Sequence, residues 1–385
     1  MRKYVLSLIF AVLLFMLCLF CFASSDTDLW QAAGTKIDAG DLTGAAVLLN
    51  QLLTEFPTSP KAPASQLELG RIKLQLTPED TEGLLSAFNL VKTKYPSSPE
   101  VADAYVHIGY LHSRADAKQA VKDFEDFLAA HKDHPQCARV TRALGGLHLR
   151  NLELDKAEAA FDSVKRASGA STALVDEATM QSAFVKIMRF YASKDKASLA
   201  AAIGMFGGLS AASDAQVRGK SELGAAEALL LMGKGAEAHE KYKSAAQTYS
   251  NLPYIKGIAL YGAAICSKDM QKADQAVAEY DALLDAQAGS TLTDKDAAWK
   301  AAALSSLGTR AQAAVQKNGS LEPIPAINII EEAAYLKGEC LYMAGKYHEA
   351  EKQLSAVVSA FPGTELAESA KNAIARCRMA VGGEQ

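Results

Sequence analysis

The feature that most constrains this chain is the spacing of small and bulky side chains in the segment that ends at Pro362. Gly338 and Ala350 are small, and Leu354 follows Ala350 by about one helical turn. In a pair of antiparallel helices, Gly338 and Ala350 would lie where the two backbones come closest, because neither side chain holds them apart. Gly345 would then occupy the turn, and Pro362 would end the second helix because it brings no backbone N–H. The segment therefore predicts a tight hairpin of two helices.

The same pattern recurs with varying fidelity along the chain, and about seven hairpins fit it. The small residues that we expect at the closest contact of each hairpin are Ala33, Gly70, Gly109, Gly145, Ala226, Ala264 and Gly338. A helical pattern that repeats at roughly 34 residues resembles the tetratricopeptide repeat (TPR). The resemblance implies an all-α, TPR-like solenoid that winds as a right-handed superhelix. It would contain about seven to nine helix hairpins, each stabilised mainly by its neighbours.

The junctions between repeats support this interpretation. Residues 56–60 read FPTSP, residues 95–99 read YPSSP, and residues 361–365 are a looser version. We expect Ser59 and Ser98 to cap the following helices, with Pro60 and Pro99 in the first helical position, where a missing N–H costs nothing. These junctions resemble those of the bacterial envelope TPR proteins of the CpoB and BamD type.

The first 23 residues have the composition of a targeting segment. Arg2 and Lys3 precede a long apolar run, and small Cys21 and Ala23 stand just before a polar stretch. This order predicts a signal peptide that is cleaved after Ala23. Two alternatives remain, an uncleaved N-terminal anchor and a lipid attached to Cys18 or Cys21. All three place the bulk of the chain outside the cytoplasm.

Composition argues for a soluble helical body without a nucleic-acid partner. The net charge of −4 gives no general reason to expect nucleic-acid binding. Runs that alternate apolar and polar residues in strand fashion are not found in the sequence. Four cysteines follow the targeting segment at spacings unlike those of a zinc ribbon or a disulfide framework. Cys340 and Cys377 could face each other on adjacent helices, and the alternative is that they are free thiols in helix packing.

Two stretches depart from the repeat pattern and divide the chain. Repeats occupy residues 24–168, a degenerate hairpin with a bend at Gly207 and Gly208 is predicted over residues 169–217, and repeats resume over residues 218–385. Within the last part, residues 286–325 are predicted to form an inserted helix followed by a loop. Insertions in repeat arrays map to loops on one face, which is often the binding face. A plain spacer is the alternative.

No catalytic, metal or cofactor site can be assigned from the sequence. The Gly219-Lys220-Ser221 triplet matches the end of a phosphate-binding loop, but Asp214 stands where the first glycine should be. His131 and His134 are close together without a Cys or a third His nearby, so a solvated loop is favoured over a metal site. We therefore expect a protein that is not an enzyme and needs no cofactor.

The candidate functional feature of this chain is therefore a binding surface. In a superhelix of hairpins, the first helix of each repeat lines the concave side. Placing the small residues at the closest contact puts a group of basic and aromatic side chains of the N-terminal half on this lining. These are Arg71, Tyr110, Arg114, Arg139, Arg142 and Arg150. Guanidinium groups bind carboxylates in a bidentate manner and stack on aromatic rings, so this half is predicted to bind an acidic or C-terminal peptide. The alternative is that these arginines pair with the protein's own Glu and Asp.

The lining of the C-terminal half is less basic and more aromatic. Tyr261, Tyr335 and Tyr342 fall at equivalent positions, and the glutamates beside them are Glu227, Glu332 and Glu339. Tyrosine is favoured at protein interfaces, and it is also ordinary packing within helical repeats.

These features predict a non-catalytic, extracytoplasmic scaffold or adaptor that holds a protein or peptide in its groove, within bacterial envelope assembly or maintenance. Membrane contact is expected only through an uncleaved N-terminal segment. One rival is a self-assembling structural module, and another is a solute-binding accessory of a transporter. The size of the purified chain would separate the first, and an enclosed pocket would favour the second.

Overall fold

The computed structural model describes residues 25–288 and 329–383. All regular structure in these two ranges is helical, with seventeen α-helices and one short 3-10 helix. The predicted all-α fold of TPR-like hairpins is therefore confirmed. Among these residues, none of the helices combines the length and the apolar character needed to cross a bilayer. The predicted targeting segment lies outside the described residues.

The chain divides into two compact units between Val140 and Thr141. The first unit contains three hairpins, in which consecutive helices pack against each other, and the beginning of a seventh helix. Its helices are α1 (Asp26–Asp38), α2 (Leu42–Glu55), α3 (Ala62–Leu76), α4 (Thr81–Lys94), α5 (Glu100–Ala115), α6 (Ala117–Ala130) and the start of α7 (Cys137–Arg150). The turn between α3 and α4, residues 77–80, is lengthened by one residue relative to the turn between α1 and α2, residues 39–41.

The helices of the second unit are the rest of α7, α8 (Leu154–Ser163), the 3-10 helix Val164–Arg166, α9 (Thr172–Ser193), α10 (Lys196–Gly208), α11 (Ala215–Leu231), α12 (Gly235–Thr248), α13 (Pro253–Asp269), α14 (Ala273–Ala288), α15 (Ile329–Met343), α16 (Tyr347–Ala360) and α17 (Glu365–Gly383). From α8 onward, each helix of the second unit packs on the next. The helix α14 packs on α15 although residues 289–328 separate them in sequence.

Two sequence-based boundaries can be compared with these helices. The degenerate hairpin corresponds to α9 and α10, which are regular helices. The inserted segment was expected to start at residue 286, but residues 286–288 still belong to α14, and its remaining residues lie outside the described ranges. The predicted domain limits at residues 168 and 217 stay predictions.

Close helix packing depends on glycine at the predicted positions. A Cβ added at Gly70 would lie 2.6 Å from the ring of Phe88, and one added at Gly338 would lie 2.6 Å from Leu354. A Cβ at Gly109 would come at least as close to Phe124, well under the 3.0 Å that real Cβ atoms respect. Because these bulky partners are buried, a larger residue at the glycine would force the helices apart.

Five of the turns inside the hairpins have a left-handed residue seven positions after the closest contact, whereas Thr77 and Asp116 at the equivalent positions have φ of −140° and −136°. Gly40, Gly233 and Gly345 have φ values of +77°, +83° and +76°. At the equivalent positions Leu152 and Gln271 adopt φ of +60° without being glycine. The backbone conformation of this turn is thus kept even where the sequence does not supply the residue that adopts it most easily.

The predicted N-caps at the proline junctions are wrong. The helix α3 begins after Lys61 and α5 begins after Pro99, and neither cap residue makes a side-chain capping bond. The Ser59 hydroxyl instead donates to Asp26 at 2.6 Å and accepts from the Lys61 amide at 3.0 Å. At the second junction the Ser98 amide donates to the Tyr95 carbonyl. Each junction is a turn of its own, so the helices start later than the serines suggest.

Candidate functional site

The candidate site is the surface of the first helix of each hairpin. The repeat pattern predicts a group of basic and aromatic side chains on this surface. In the first unit, α3 carries Arg71. This guanidinium lies 3.3 Å from Glu68 and 3.3 Å from Asp103 of α5. Its charge is therefore shared between two carboxylates of the protein itself, as the alternative interpretation expects.

Asp103 links the neighbouring helices on this surface. Besides Arg71 it accepts a hydrogen bond from the Gln136 side-chain amide at 2.7 Å, and His134 lies 3.9 Å away. His107, one turn further along α5, stacks on Phe88 with ring centroids 4.5 Å apart. Arg71 Nε donates to His107 Nε2 at 3.5 Å.

Burial and the nearby guanidinium lower the pKa of His107, which keeps the ring neutral at physiological pH. A neutral ring can accept the Arg71 proton, whereas an imidazolium would repel the guanidinium. The Arg71 side chain is thus fixed by a carboxylate pair and by an imidazole.

The other predicted residues of the first unit differ in accessibility. Arg114 donates to the Pro78 carbonyl at 3.3 Å, across the lengthened turn. Tyr110 is partly buried and packs edge-on against Phe124 at 5.2 Å. Arg139 is exposed, and within the described residues no carboxylate forms an ion pair with it. It is a cation on this surface that a partner could neutralise without displacing an internal ion pair.

In the second unit, the predicted arginines lie on α7. Arg142 Nε is 3.2 Å from Glu177 of α9, although the angle is too poor for a hydrogen bond. Arg150 is exposed at the end of α7. Internal pairing therefore accounts for Arg142 as it does for Arg71.

The predicted tyrosines of the second unit are covered to different degrees. Tyr261 is only 4% exposed and packs against Tyr280, so its expected place on an open groove is wrong. Tyr335 is partly buried, and its burial raises its pKa. Tyr342 lies under the guanidinium of Arg376, which is 5.4 Å from the ring centroid.

Arg376, on α17, also forms an ion pair with Glu339 at 2.7 Å. The last described helix thus covers the surface on which Tyr342 was expected to be free. A partner that used this surface would meet an edge of Tyr342 and the outer side of a neutralised guanidinium.

The main feature that the sequence analysis missed is the burial of a carboxyl group that it had placed beside the lining tyrosines. Glu227 on α11 is 8% exposed, and it accepts hydrogen bonds of 3.2 Å from the hydroxyls of Tyr191 and Tyr242. Burial raises the pKa of Glu227 to about 7, although the two tyrosine hydroxyls favour its charged form. The signal in the sequence is one glutamate within the otherwise apolar end of α11, residues 225–231, and its two partners are 36 and 15 residues away.

A second polar network joins α12, α13 and α14. His239 Nε2 is 2.7 Å from Glu279, and the Ser267 hydroxyl donates to the same carboxylate at 2.7 Å. In the part of the chain that the structure describes, no three His, Cys, Asp or Glu side chains come together as metal ligands would.

The cysteines of the described helices are buried free thiols. Cys340 packs with residues of α13 and α14, whereas Cys377 packs with residues of α15 and α16. The two thiols therefore belong to different clusters of the interior. A disulfide between them is not formed.

Comparisons with known proteins agree with the architecture. Family models described as tetratricopeptide repeat match residues 113–171 and residues 332–364. No curated protein matches the chain.

Solved structures with similar folds include three bacterial or archaeal proteins. A tetratricopeptide repeat protein from Parabacteroides merdae has 16% identity and a TM-score of 0.47, over 72% of this chain and 98% of its own. PilF of Pseudomonas aeruginosa has 14% identity and a TM-score of 0.39, over 81% and 97%. A STAND signal-transduction ATPase with a tetratricopeptide repeat sensor from Pyrococcus horikoshii has 12% identity and a TM-score of 0.52, over 89% of this chain and 50% of the ATPase.

Of these three TM-scores, only that of the ATPase, 0.52, supports the fold assignment. At 12% identity the similarity supports no inference about function. The assignment of tetratricopeptide repeats rests on the two family-model matches and on the close helix packing at Gly70, Gly109 and Gly338. The chain therefore contains tetratricopeptide repeats, which the family models match at residues 113–171 and 332–364, within an all-α array of hairpins.

Proposed function

We propose that this protein is a non-catalytic, extracytoplasmic scaffold that holds another protein or peptide on the surface formed by the first helices of its hairpins. Tetratricopeptide repeats suggest an interaction scaffold in general. The observation that supports this particular surface is Arg139, an exposed residue three positions after Gln136, whose side chain binds Asp103. An arginine outside the protein's own ion pairs can bind an incoming carboxylate without losing one of them.

The location outside the cytoplasm is inferred from the N-terminal residues. A basic start, an apolar run and small residues before position 24 fit an export signal. The proline junctions at residues 56–60 and 95–99 resemble those of bacterial envelope TPR proteins, which favours a role in envelope assembly or maintenance. Fractionation of cells that produce the full chain would test this part separately.

The chemistry of the surface favours an acidic segment as the partner. Arg71 is already engaged by Glu68 and Asp103, so an incoming carboxylate would compete with them. Arg139 has no such competitor among the described residues. We therefore expect Arg139 to make the first contact and Arg71 to contribute by exchange of its partners.

The experiment compares two charge reversals in the first unit. Arg139→Glu places a carboxylate on the candidate surface, whereas Lys122→Glu makes the same change of charge on the exposed side of α6. A partner isolated by in-cell crosslinking to the wild-type protein should lose at least about tenfold in affinity with Arg139→Glu, because attraction becomes repulsion. Lys122→Glu should bind as the wild type does. Equal affinity for both variants would contradict the proposal.

A further inference from the structure

The interior of the second unit contains a carboxyl group that no cation of the described residues neutralises. Glu227 receives the Tyr191 hydroxyl on one oxygen and the Tyr242 hydroxyl on the other, each at 3.2 Å. Among the ion pairs of the described ranges, none includes Glu227. Tyrosine hydroxyls can stabilise a carboxylate by hydrogen bonding, but they do not cancel its charge.

The groups that face Glu227 come from the helices packed around α11. The helix α9 contributes Tyr191, and α12 contributes Tyr242. The helix α13 contributes Cys266 and Tyr261, both of which interact electrostatically with Glu227. Burial raises the pKa of each of these four groups, so all of them are neutral at physiological pH.

No side chain of α10 or α12 forms an ion pair with Glu227 among the described residues. From α10, the ring of Phe206 lies against Gly224, one turn before Glu227. The two lysines that flank Tyr242 on α12 are paired with other carboxylates, Lys241 with Glu222 at 2.8 Å and Lys243 with Glu240 at 3.8 Å. Charged groups lie one step further out: Glu332 faces Tyr261, Asp269 and Glu279 face Cys266, and Lys194 Nζ is 5.9 Å from the ring centroid of Tyr191. Ionisation of Glu227 therefore adds a negative charge whose direct hydrogen-bond partners are neutral dipoles.

We propose that Glu227 acts as a proton-dependent clasp between α9, α11 and α12. In the protonated form the carboxyl and the two phenols form an uncharged hydrogen-bonded group, and the three helices pack closely around it. In the ionised form the carboxylate draws water toward it, and α9 and α12 separate more readily from α11. The clasp concerns the packing of the second unit and does not depend on the proposed partner surface.

The proton balance of the clasp is simple. One proton leaves the Glu227 carboxyl for solvent when the pH rises, and the two phenols keep theirs throughout. The carboxyl pKa of about 7 places this change near neutrality. The geometry alone, a buried carboxyl with two neutral donors and no cation among its described neighbours, already favours the protonated form.

The test is amide hydrogen exchange of the full chain, corrected for the intrinsic pH dependence of exchange. Between about pH 5.5 and about pH 8, peptides from α9, α11 and α12 should lose protection by about tenfold relative to peptides from α3 and α5. In Glu227→Gln the same peptides should keep their protection, because the amide cannot ionise. Glu279→Gln is the matched control, since Glu279 is a half-buried carboxyl that His239 and Ser267 already bind, and this variant should retain the pH dependence of the wild type.

An infrared measurement on the wild type tests the proposal without any variant. At about pH 6 the protein should show the carbonyl band of a protonated carboxylic acid, and the band should disappear as the pH rises through neutrality. Absence of this band at about pH 6 would overturn the proposal. A folded Glu227→Gln variant that shows the pH-dependent exchange of the wild type would overturn it as well.

Discussion

Replacing Gly109 with alanine tests the reason why the helices of a hairpin can nest. The new Cβ would lie within 3.0 Å of the Phe124 ring, which is fully buried. The ring cannot withdraw freely, because Tyr110 packs edge-on against it at 5.2 Å. Relief of the clash therefore requires α5 and α6 to move apart.

Two effects of opposite sign determine how much Gly109→Ala changes the free energy of unfolding. Overpacking of a well-packed interior typically costs about 1–3 kcal/mol. Alanine in place of glycine within a helix returns about 1 kcal/mol through its higher propensity. We expect Gly109→Ala to lower the free energy of unfolding by about 0–2 kcal/mol, which is the clash less the gain in propensity.

Gly34 provides the matched control within the same unit. It lies inside α1, and an added Cβ would meet no atom within 4 Å. Gly34→Ala should therefore raise the free energy of unfolding by about 1 kcal/mol. Urea unfolding followed by far-UV circular dichroism would measure both variants against the wild type.

A double variant separates the clash from other effects. Phe124→Leu removes the ring atoms that the new Cβ would meet, so the cost of Gly109→Ala should shrink in that background. Equal stability of Gly109→Ala and Gly34→Ala would refute this reasoning. An unchanged cost of Gly109→Ala in the Phe124→Leu background would refute it equally.

Three further predictions concern stability. Gln271→Gly should stabilise the protein by about 0.5–1 kcal/mol, because Gln271 is exposed and has φ of +60°. The control Gln31→Gly, inside α1, should destabilise it by about 1 kcal/mol. Equal urea midpoints for the two variants would contradict this prediction. Asp116→Ala should cost about 1 kcal/mol, because Asp116 accepts the free amides of residues 118 and 119 at the start of α6, and Asp116→Asn should largely keep the cap. Glu227 has a folded-state pKa of about 7, raised from 4.5, so the folded state holds its proton more tightly than the unfolded chain does. Stability should therefore fall by about 3 kcal/mol as the pH rises from about 4.5 to about 7, and thermal unfolding of Glu227→Gln across this range should not show that loss.

The repeat pattern was predictable because it is local. Small residues such as Gly70 and Gly338 and their partners sit about 16–18 positions apart, so one hairpin contains the whole signal. The degenerate hairpin of α9 and α10 was recognised because its sequence departs from this local pattern. The cap expected at Ser59 was wrong because the hydroxyl found a partner in Asp26, which is 33 residues away.

The candidate surface was less predictable because its electrostatics depend on contacts between repeats. The sequence placed Arg71 on the surface, but it could not show that Asp103 lies within 3.3 Å. Tyr261 fits the pattern of a lining residue, yet its neighbours bury it. The polar link from Glu227 to Tyr191 joins residues 36 positions apart, and no pairwise spacing within one hairpin reveals it.

The most direct test of the central claim is site-specific photocrosslinking in the native cell, with the crosslinker at position 139 on α7 or at position 126 on the exposed side of α6. We predict that a discrete protein partner is captured from position 139 and not from position 126. Capture of the same partner with equal yield from both positions, or from position 126 alone, would contradict a binding surface on the first helices of the hairpins.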